Sequence, residues 1–225
     1  MRNTDVRNAM SLYFIMGTQN VGTREPLAVL EAALRGGITC FQLREKGQGA
    51  LEGEALLNFA RKCQALCRLY RVPFIINDDV DLALALNADG VHVGQDDEQA
   101  ILVRERIGPD KWLGVSTHNV EEVRLAESIG ADYVGLGPIY PTTTKLDASA
   151  VVGPVLIKEI RTAFPSIPLV GIGGISMNNV ESVFHTGADG IAIISSIASA
   201  EHPLKATQAF SEEIKSLMKN LKRSL

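Results

Sequence analysis

Short runs of apolar residues, many of them β-branched or aromatic, alternate with amphipathic stretches along the whole chain. Such apolar runs are typical of strands that are buried on both faces in a parallel sheet. The predicted strands are 12–16, 39–44, 74–77, 90–93, 112–116, 133–137, 169–172 and 190–195. A helical period predicts helices at 26–35, 53–70, 120–129, 178–185 and 204–221. Eight strands alternating with helices predict an α/β fold, a single (β/α)8 TIM barrel.

A weak internal repeat marks several junctions between a helix and the next strand. Segments 87–90, 130–133 and 187–190 each place an Ala-Asp pair after Gly or Asn. Gly and Asn adopt the left-handed conformation that ends a helix, so each repeat is expected to stop a helix just before a strand. No linker or low-complexity tract interrupts the chain. We therefore expect one domain over residues 1–225, with 1–11 as a variable N-terminal extension.

Composition restricts the function more than the fold. The formal net charge of −4 disfavours nucleic acid and anionic membranes as partners, and no apolar run approaches the roughly 18 residues of a membrane span. Three cysteines, an odd number, are typical of a reducing compartment. Cys63 and Cys67 fit one buried helix face better than a redox or metal pair. These features predict a cytoplasmic protein that acts on small molecules, and they leave the oligomeric state open, a homo-oligomer included.

The second predicted strand carries polar residues where a barrel strand should be apolar. Gln42, Arg44 and Lys46 occur at every second position, so they face the barrel mouth, while Phe41 and Leu43 face the helices. An unpaired buried charge costs several kcal/mol. The cations therefore need either inward carboxylates as salt-bridge partners or an anionic ligand. Arg and Lys together suit phosphate oxygens, which favours the ligand.

Carboxylates follow the third and fourth predicted strands. Asn77, Asp78 and Asp79 end the third strand, and Asp97 follows the fourth. These carboxylates could neutralise the cations of the second strand. Alternatively they could hold Mg²⁺, which takes one or two carboxylates and completes its shell with water and phosphate oxygens. Asp79 is also a candidate cap for the helix that begins at residue 80.

Hydroxyl groups follow the fifth and sixth strands. Ser116 ends the fifth strand and could either bind substrate or cap the next helix, and His118 could act as an acid or base or belong to the rim. The segment 137–152 is the longest irregular stretch, a length typical of a lid or binding loop. Thr142, Thr144 and Lys145 in this segment are either a candidate phosphate clamp or part of a solvated flexible loop.

A second anion site is predicted after the seventh and eighth strands. Segments 171–175 and 194–197 contain the glycines and small residues that let backbone N–H groups approach a phosphate, although glycines could also simply turn the chain. Phosphate sites recur at this position in TIM barrels. One charged site and one neutral site, facing each other across the barrel mouth, indicate a transferase of two phosphorylated substrates.

Seven motifs, taken together and in order, resemble the thiamine-phosphate synthase family. They are Gln42-x-Arg44-x-Lys46, Asn77-Asp78-Asp79, His92-x-Gly94-Gln95-x-Asp97, Gly114-x-Ser116, the segment 135–145, Gly171 to Ile175 and Ile194-Ser195-x-Ile197. The resemblance implies that 4-amino-5-hydroxymethyl-2-methylpyrimidine diphosphate condenses with a thiazole phosphate, or its carboxylated form, to give thiamine phosphate and pyrophosphate.

The resemblance also implies a role for each site residue. Mg²⁺ is expected on Asp78 and Asp97, and the thiazole phosphate on the backbone of Gly174, Ser195 and Ser196. Ser116, Lys46 and Lys145 are expected to act directly in the reaction. The expected contacts to the pyrimidine diphosphate are Gln42, Arg44, Lys46, Asn77 and Lys145. Ser116 is expected near the reacting centre, and Thr142 and Thr144 are expected in the lid motif near the phosphates.

A dissociative mechanism would fit these residues. Pyrophosphate leaves once cations neutralise its charge, and the resulting pyrimidine cation is attacked by the thiazole nitrogen. We see no convincing Ser-His-Asp or Cys-His arrangement in the sequence, and this mechanism needs no protein nucleophile. Two other functions stay open. A thiazole tautomerase would use His118 as proton shuttle, and a non-catalytic module would bind phosphate without turnover.

Overall fold

Eight parallel strands form a closed barrel in the computed structural model, which describes residues 2–142 and 150–221. Each strand pairs with the next in chain order, and the first pairs with the last, as in Tyr13 opposite Ala192. The strands are β1 Leu12–Met16, β2 Cys40–Leu43, β3 Phe74–Asn77, β4 Gly90–Val93, β5 Trp112–Thr117, β6 Tyr133–Leu136, β7 Leu169–Ile172 and β8 Gly190–Ile193. The predicted (β/α)8 TIM barrel is confirmed.

Helices follow the strands and cover the barrel. They are α1 Arg2–Ala9, α2 Pro26–Gly36, α3 Gly53–Tyr70, α4 Val80–Leu86, α5 Ala100–Ile107, α6 Val120–Ser128, α7 Pro154–Ala163, α8 Val180–His185, α9 Ser195–Ala198 and α10 Pro203–Leu221; a 3-10 turn spans Thr18–Val21. Most predicted boundaries agree within two residues. The prediction that Ser195 belongs to the last strand was wrong, because β8 ends at Ile193 and Ser195 begins the short helix α9.

Apolar residues form two separate cores. The larger core lies between the strands and the outer helices, whereas the smaller one fills the barrel interior. Helix α1, which the sequence analysis left inside the N-terminal extension, contributes Val6 to the interior core, and Met10 follows the helix into the same core. Both side chains are at most 1% exposed. The extension therefore packs against the residues that line the inside of the barrel, among them Tyr13 and Tyr133.

The repeat at the helix–strand junctions has two structural roles. Asn87 ends α4 in the left-handed conformation, and Gly187 also has a positive φ. The Asp of each repeat has a second role that the sequence analysis missed, because its carboxylate accepts a hydrogen bond from the backbone of the preceding odd-numbered strand. The bonds run from Phe74 N–H to Asp89, Leu113 N–H to Asp132 and Leu169 N–H to Asp189, each 2.8 Å, and Thr39 accepts from Leu12 N–H in the same way at 2.8 Å.

Replacing Asp189 with alanine should destabilise the barrel at the end opposite its mouth. Asp189 accepts hydrogen bonds from Arg7 at 2.6 Å, from Arg161 at 2.5 Å and from the Leu169 amide. The substitution removes all three bonds, although both guanidinium groups keep bonds to backbone carbonyls. Hydrogen bonds to charged groups contribute about 1.5–3 kcal/mol each. Because both arginines keep other acceptors, the loss should be smaller than the sum for three bonds, and we expect about 3 kcal/mol in the free energy of unfolding. Urea denaturation measures it.

The matched control for Asp189→Ala is Asp110→Ala, which removes an exposed carboxylate outside the secondary structure. We expect it to change the free energy of unfolding by less than about 0.5 kcal/mol. Equal stability of the two variants would contradict a structural role for the repeated Asp.

All three cysteines are free and buried. Cys63 and Cys67 lie on the buried face of α3, and burial raises the pKa of the Cys67 thiol to about 12. Thiols that stay protonated are poor nucleophiles and poor metal ligands. The interpretation of this pair as a packed helix face therefore agrees with the structure. Within the described ranges, no helix combines the length and apolar character needed to cross a membrane.

Candidate active site

A cavity of about 470 Å³ opens at the carboxyl ends of the strands. Its size falls in the range of small-molecule sites. Eight of the predicted site residues line it, namely Gln42, Arg44, Asn77, Ser116, Thr142, Gly174, Ser195 and Ser196. His92, His118 and the apolar side chains of Ile15 and Ile172 complete much of the wall. Thr144 and Lys145 fall in 143–149, outside the described residues.

The polar face of β2 reaches the cavity as the alternation predicts. Gln42 and Arg44 both line it, and Gln42 is 1% exposed. Lys46, beyond the end of the strand, lies instead in a cluster with Asp78 and Asp97. Glu45, between the two cations, accepts hydrogen bonds from the Thr18 backbone at 2.8 Å and from the Leu51 backbone at 3.0 Å. It thereby fixes the segment that carries Arg44 and Lys46.

Lys46 joins the two predicted metal ligands. Its Nζ lies 2.8 Å from Asp78 Oδ2 and 3.5 Å from Asp97 Oδ1, so the salt-bridge alternative of the sequence analysis describes the arrangement seen here. The backbone of Asp78 adopts a φ of 62°, rare for a residue other than glycine, and its N–H donates to the His92 carbonyl. The Gly94 amide donates to Asp97 at 2.8 Å. Both carboxylates are thus aimed at one positive group.

Charge and burial act on the two carboxylates differently. Burial raises the pKa of Asp78, since desolvation outweighs the hydrogen bond from Lys46. Burial alone would also raise the pKa of Asp97, but the neighbouring Asp78 carboxyl, the hydrogen bond from the Gly94 amide and the Lys46 ammonium together outweigh it and lower the pKa. The hydrogen bond to Asp78 raises the pKa of Lys46, which therefore stays protonated.

The donor set of this cluster fits Mg²⁺. In the described part of the chain, no three His, Cys, Asp or Glu side chains gather closely enough to hold a metal by themselves. Mg²⁺ is commonly held by one or two carboxylates while phosphate oxygens and water complete its shell. Asp78 and Asp97 already converge on a cation, the Lys46 ammonium. Asp79 is not part of the set, because it caps α4 by accepting a hydrogen bond from Leu82 N–H.

Ser116 and His92 form a contact that the sequence analysis missed. The Ser116 Oγ lies 2.9 Å from His92 Nε2, and His92 Nδ1 lies 3.1 Å from the Tyr133 hydroxyl. This contact is a Ser-His pair and not the Ser-His-Asp arrangement considered in the sequence analysis. The third member of the group is a phenol, where a hydrolytic triad has a carboxylate. Only the register of β4 against β5 brings the serine and the histidine together.

The structure at the end of β5 shows what its polar residues contact. Ser116 does not cap α6, since Asn119 accepts the hydrogen bond from Glu122 N–H. His118 lines the cavity, and its Nδ1 lies 3.0 Å from a Glu122 carboxylate oxygen. The imidazole is therefore anchored at the start of α6.

The glycines after β7 have a packing role besides any contact with a ligand. Gly173 and Gly174 have φ values of 94° and 64°. A Cβ on Gly174 would lie 2.5 Å from the Pro141 carbonyl oxygen, so glycine lets the loop after β7 approach the loop after β6. The hydroxyl of Ser196 donates to the Ile175 carbonyl at 2.9 Å. At the predicted monophosphate site, Ser196 therefore presents its backbone rather than its hydroxyl.

Comparisons with known proteins point to one family. Residues 12–197 match the family model described as thiamine monophosphate synthase. The thiamine-phosphate synthase of Bacillus licheniformis is 56% identical over 209 residues, 93% of this chain and 92% of that protein. That of Bacillus velezensis is 54% identical over 218 residues, 97% and 96% of the two chains. The solved thiamine phosphate pyrophosphorylase of Pyrococcus furiosus is 34% identical, with a TM-score of 0.85 over 94% of this chain and 98% of its own.

Proposed function

The chain belongs to the thiamine monophosphate synthase family, whose members are transferases of thiamine biosynthesis, and we propose that it condenses two specific substrates. These are 4-amino-5-hydroxymethyl-2-methylpyrimidine diphosphate and a thiazole phosphate or its carboxylated form. The products are thiamine phosphate and pyrophosphate. The observation that carries this proposal is the juxtaposition of a rim of charged side chains at β2 to β4 with a neutral, backbone-lined pocket at β7 and β8, in one barrel mouth.

The charged rim supports a diphosphate as leaving group. Arg44 lines the cavity, and Lys46, two residues further along the chain, pairs with the carboxylates of Asp78 and Asp97. We assign Mg²⁺ to these two carboxylates, where its charge would stabilise pyrophosphate. Arg44 and Lys46 would bind the same oxygens, and positive groups placed where charge develops lower the barrier to departure.

The remainder of the cavity supports a dissociative reaction. Once pyrophosphate leaves, the aminopyrimidine carries a delocalised cation that the thiazole nitrogen attacks. Gln42 and Ser116 line the cavity and would orient the pyrimidine ring. The backbone of Gly174, Ser195 and Ser196 would hold the thiazole phosphate. The enzyme then acts mainly by orienting two reactants and excluding water.

The test is a turnover assay with purified protein, both substrates and Mg²⁺, which reads thiamine phosphate and pyrophosphate together. We expect equal amounts of the two products, and no thiamine phosphate when either substrate is omitted. Pyrophosphate without thiamine phosphate would indicate hydrolysis. Absence of both products would favour a binding module and would overturn the proposal.

A further inference from the structure

A chain of four hydrogen bonds crosses the barrel interior and connects two residues that line the cavity. It runs from Gln42 Nε2 to the Tyr13 hydroxyl at 2.7 Å, on to the Tyr133 hydroxyl at 2.8 Å, to His92 Nδ1 at 3.1 Å, and from His92 Nε2 to Ser116 Oγ at 2.9 Å. Tyr13 and Tyr133 are 1% and 0% exposed, so the middle of the chain has no access to water.

The barrel interior leaves room for this series of hydrogen-bonded side chains. Barrel interiors are usually filled by branched apolar side chains, and a buried polar group is costly unless it is hydrogen-bonded. His92, Gly114 and Tyr133 lie opposite one another on β4, β5 and β6. A Cβ on Gly114 would lie 2.4 Å from His92 Nδ1 and 2.2 Å from the Cζ of Tyr133. Glycine at this position therefore leaves room for the hydrogen bond between the two rings.

The series of hydrogen bonds has one direction because it begins at the amide nitrogen of Gln42, which donates and does not accept. Tyr13 accepts from Gln42, so its own proton goes to the oxygen of Tyr133. Tyr133 in turn donates to His92 Nδ1. Burial raises the pKa of both tyrosines, so each hydroxyl keeps the proton that this order requires. A neutral imidazole that accepts at Nδ1 carries its proton on Nε2 and donates it to Ser116.

We infer that the chain of Tyr13, Tyr133 and His92 fixes Ser116 as a hydrogen-bond donor to the substrate. Because Ser116 Oγ accepts from His92, its proton is directed into the cavity. The partner is then a substrate acceptor, and on the proposed function this is a ring nitrogen of the aminopyrimidine. The same tautomer disables Ser116 as a nucleophile, since a nucleophilic serine needs an imidazole nitrogen that accepts its proton. Tyr13, Tyr133 and His92 are thus positioning residues.

The first test reads the tautomer in the protein without substrate, so its outcome does not depend on the proposed function. In protein labelled with ¹⁵N-histidine, long-range ¹H–¹⁵N spectra distinguish the two ring nitrogens, and His92→Gln assigns the signal. We expect His92 to be protonated on Nε2 and unprotonated on Nδ1 at neutral pH. Protonation on Nδ1, or on both nitrogens, would overturn the inference, because the chain would then run in the opposite direction or end at a charge.

Tyr133→Phe tests whether the chain maintains that tautomer. The substitution keeps the ring and removes the hydroxyl that donates to His92 Nδ1. We expect the Nδ1 signal to shift and the second tautomer to become populated. Tyr70→Phe removes a hydroxyl on the exposed side of α3 and should leave the His92 signals unchanged. An unaltered His92 spectrum in Tyr133→Phe would contradict the inference.

A kinetic cycle tests whether Tyr133 acts through Ser116. We expect Tyr133→Phe to lower kcat about tenfold in the wild-type background, and to have no further effect in Ser116→Ala. Independent effects that multiply would show a merely structural role and would overturn the inference. Thermal unfolding verifies that each variant is folded; if Tyr133→Phe is not, Tyr13→Phe breaks the same chain one bond earlier and is read by the same cycle.

Discussion

Lys46→Ala is expected to lower kcat by about 10²- to 10³-fold, the effect of removing one group that stabilises developing charge. Lys46 is 45% exposed at the rim and has no part in either apolar core, so the barrel should remain folded. The KM for the pyrimidine diphosphate should rise, whereas the KM for the thiazole phosphate should stay the same, because Gly174 and α9 lie on the other side of the cavity mouth. Steady-state kinetics with each substrate varied in turn measures this difference.

Two controls make the Lys46 result specific. Lys62→Ala removes an exposed lysine from α3 and should leave both KM values and kcat unchanged. Lys46→Arg keeps the charge but replaces a compact ammonium with a larger, planar guanidinium group, so its activity should lie between those of Lys46→Ala and the wild type. If Lys46→Ala turned over at the wild-type rate, the assignment of the diphosphate to β2–β4 would be wrong.

The elements of this fold were predictable because each depends on a local pattern. Apolar runs gave the eight strands, and the alternation of Gln42 and Arg44 gave the face of β2 that lines the cavity. The end of β8 was misplaced since Ser195 is compatible with both a strand end and a helix start. Helix α1 was missed because its sequence is largely polar and only Val6 within it is buried in the interior.

Contacts between strands could not be predicted from local patterns. The Ser116–His92 pair depends on how β4 and β5 are offset, and the hydrogen bond between Tyr133 and His92 depends on the glycine between them at position 114. The same reason explains the second role of Asp189, whose carboxylate reaches back to the strand before it. A polar residue in the interior register of a barrel strand was the available signal for the tyrosines, since such a residue requires a partner.

Asp78 and Asp79 are adjacent carboxylates with different contacts, so substitutions at the two positions test the metal proposal against a matched control. Asp78→Asn removes one of the two charges that converge on Lys46, whereas Asp79→Ala removes the cap of α4. Loss of a group that merely orients a metal ligand costs 10- to 100-fold in metal affinity or activity, so we expect Asp78→Asn to lower activity by at least about 10²-fold. Raised Mg²⁺ should restore part of it.

Asp79→Ala should behave in the opposite way, with wild-type activity and a free energy of unfolding lower by about 1 kcal/mol. Calorimetric titration with Mg²⁺ and pyrophosphate adds a readout that does not involve turnover, and it should show weakened binding in Asp78→Asn alone. Two carboxylates and a lysine are too few groups to bind the ion tightly without phosphate oxygens, so Mg²⁺ added alone should bind weakly to both variants and to the wild type. Undiminished wild-type activity in excess chelator would contradict the metal assignment and would leave Lys46 as the sole cation between Asp78 and Asp97.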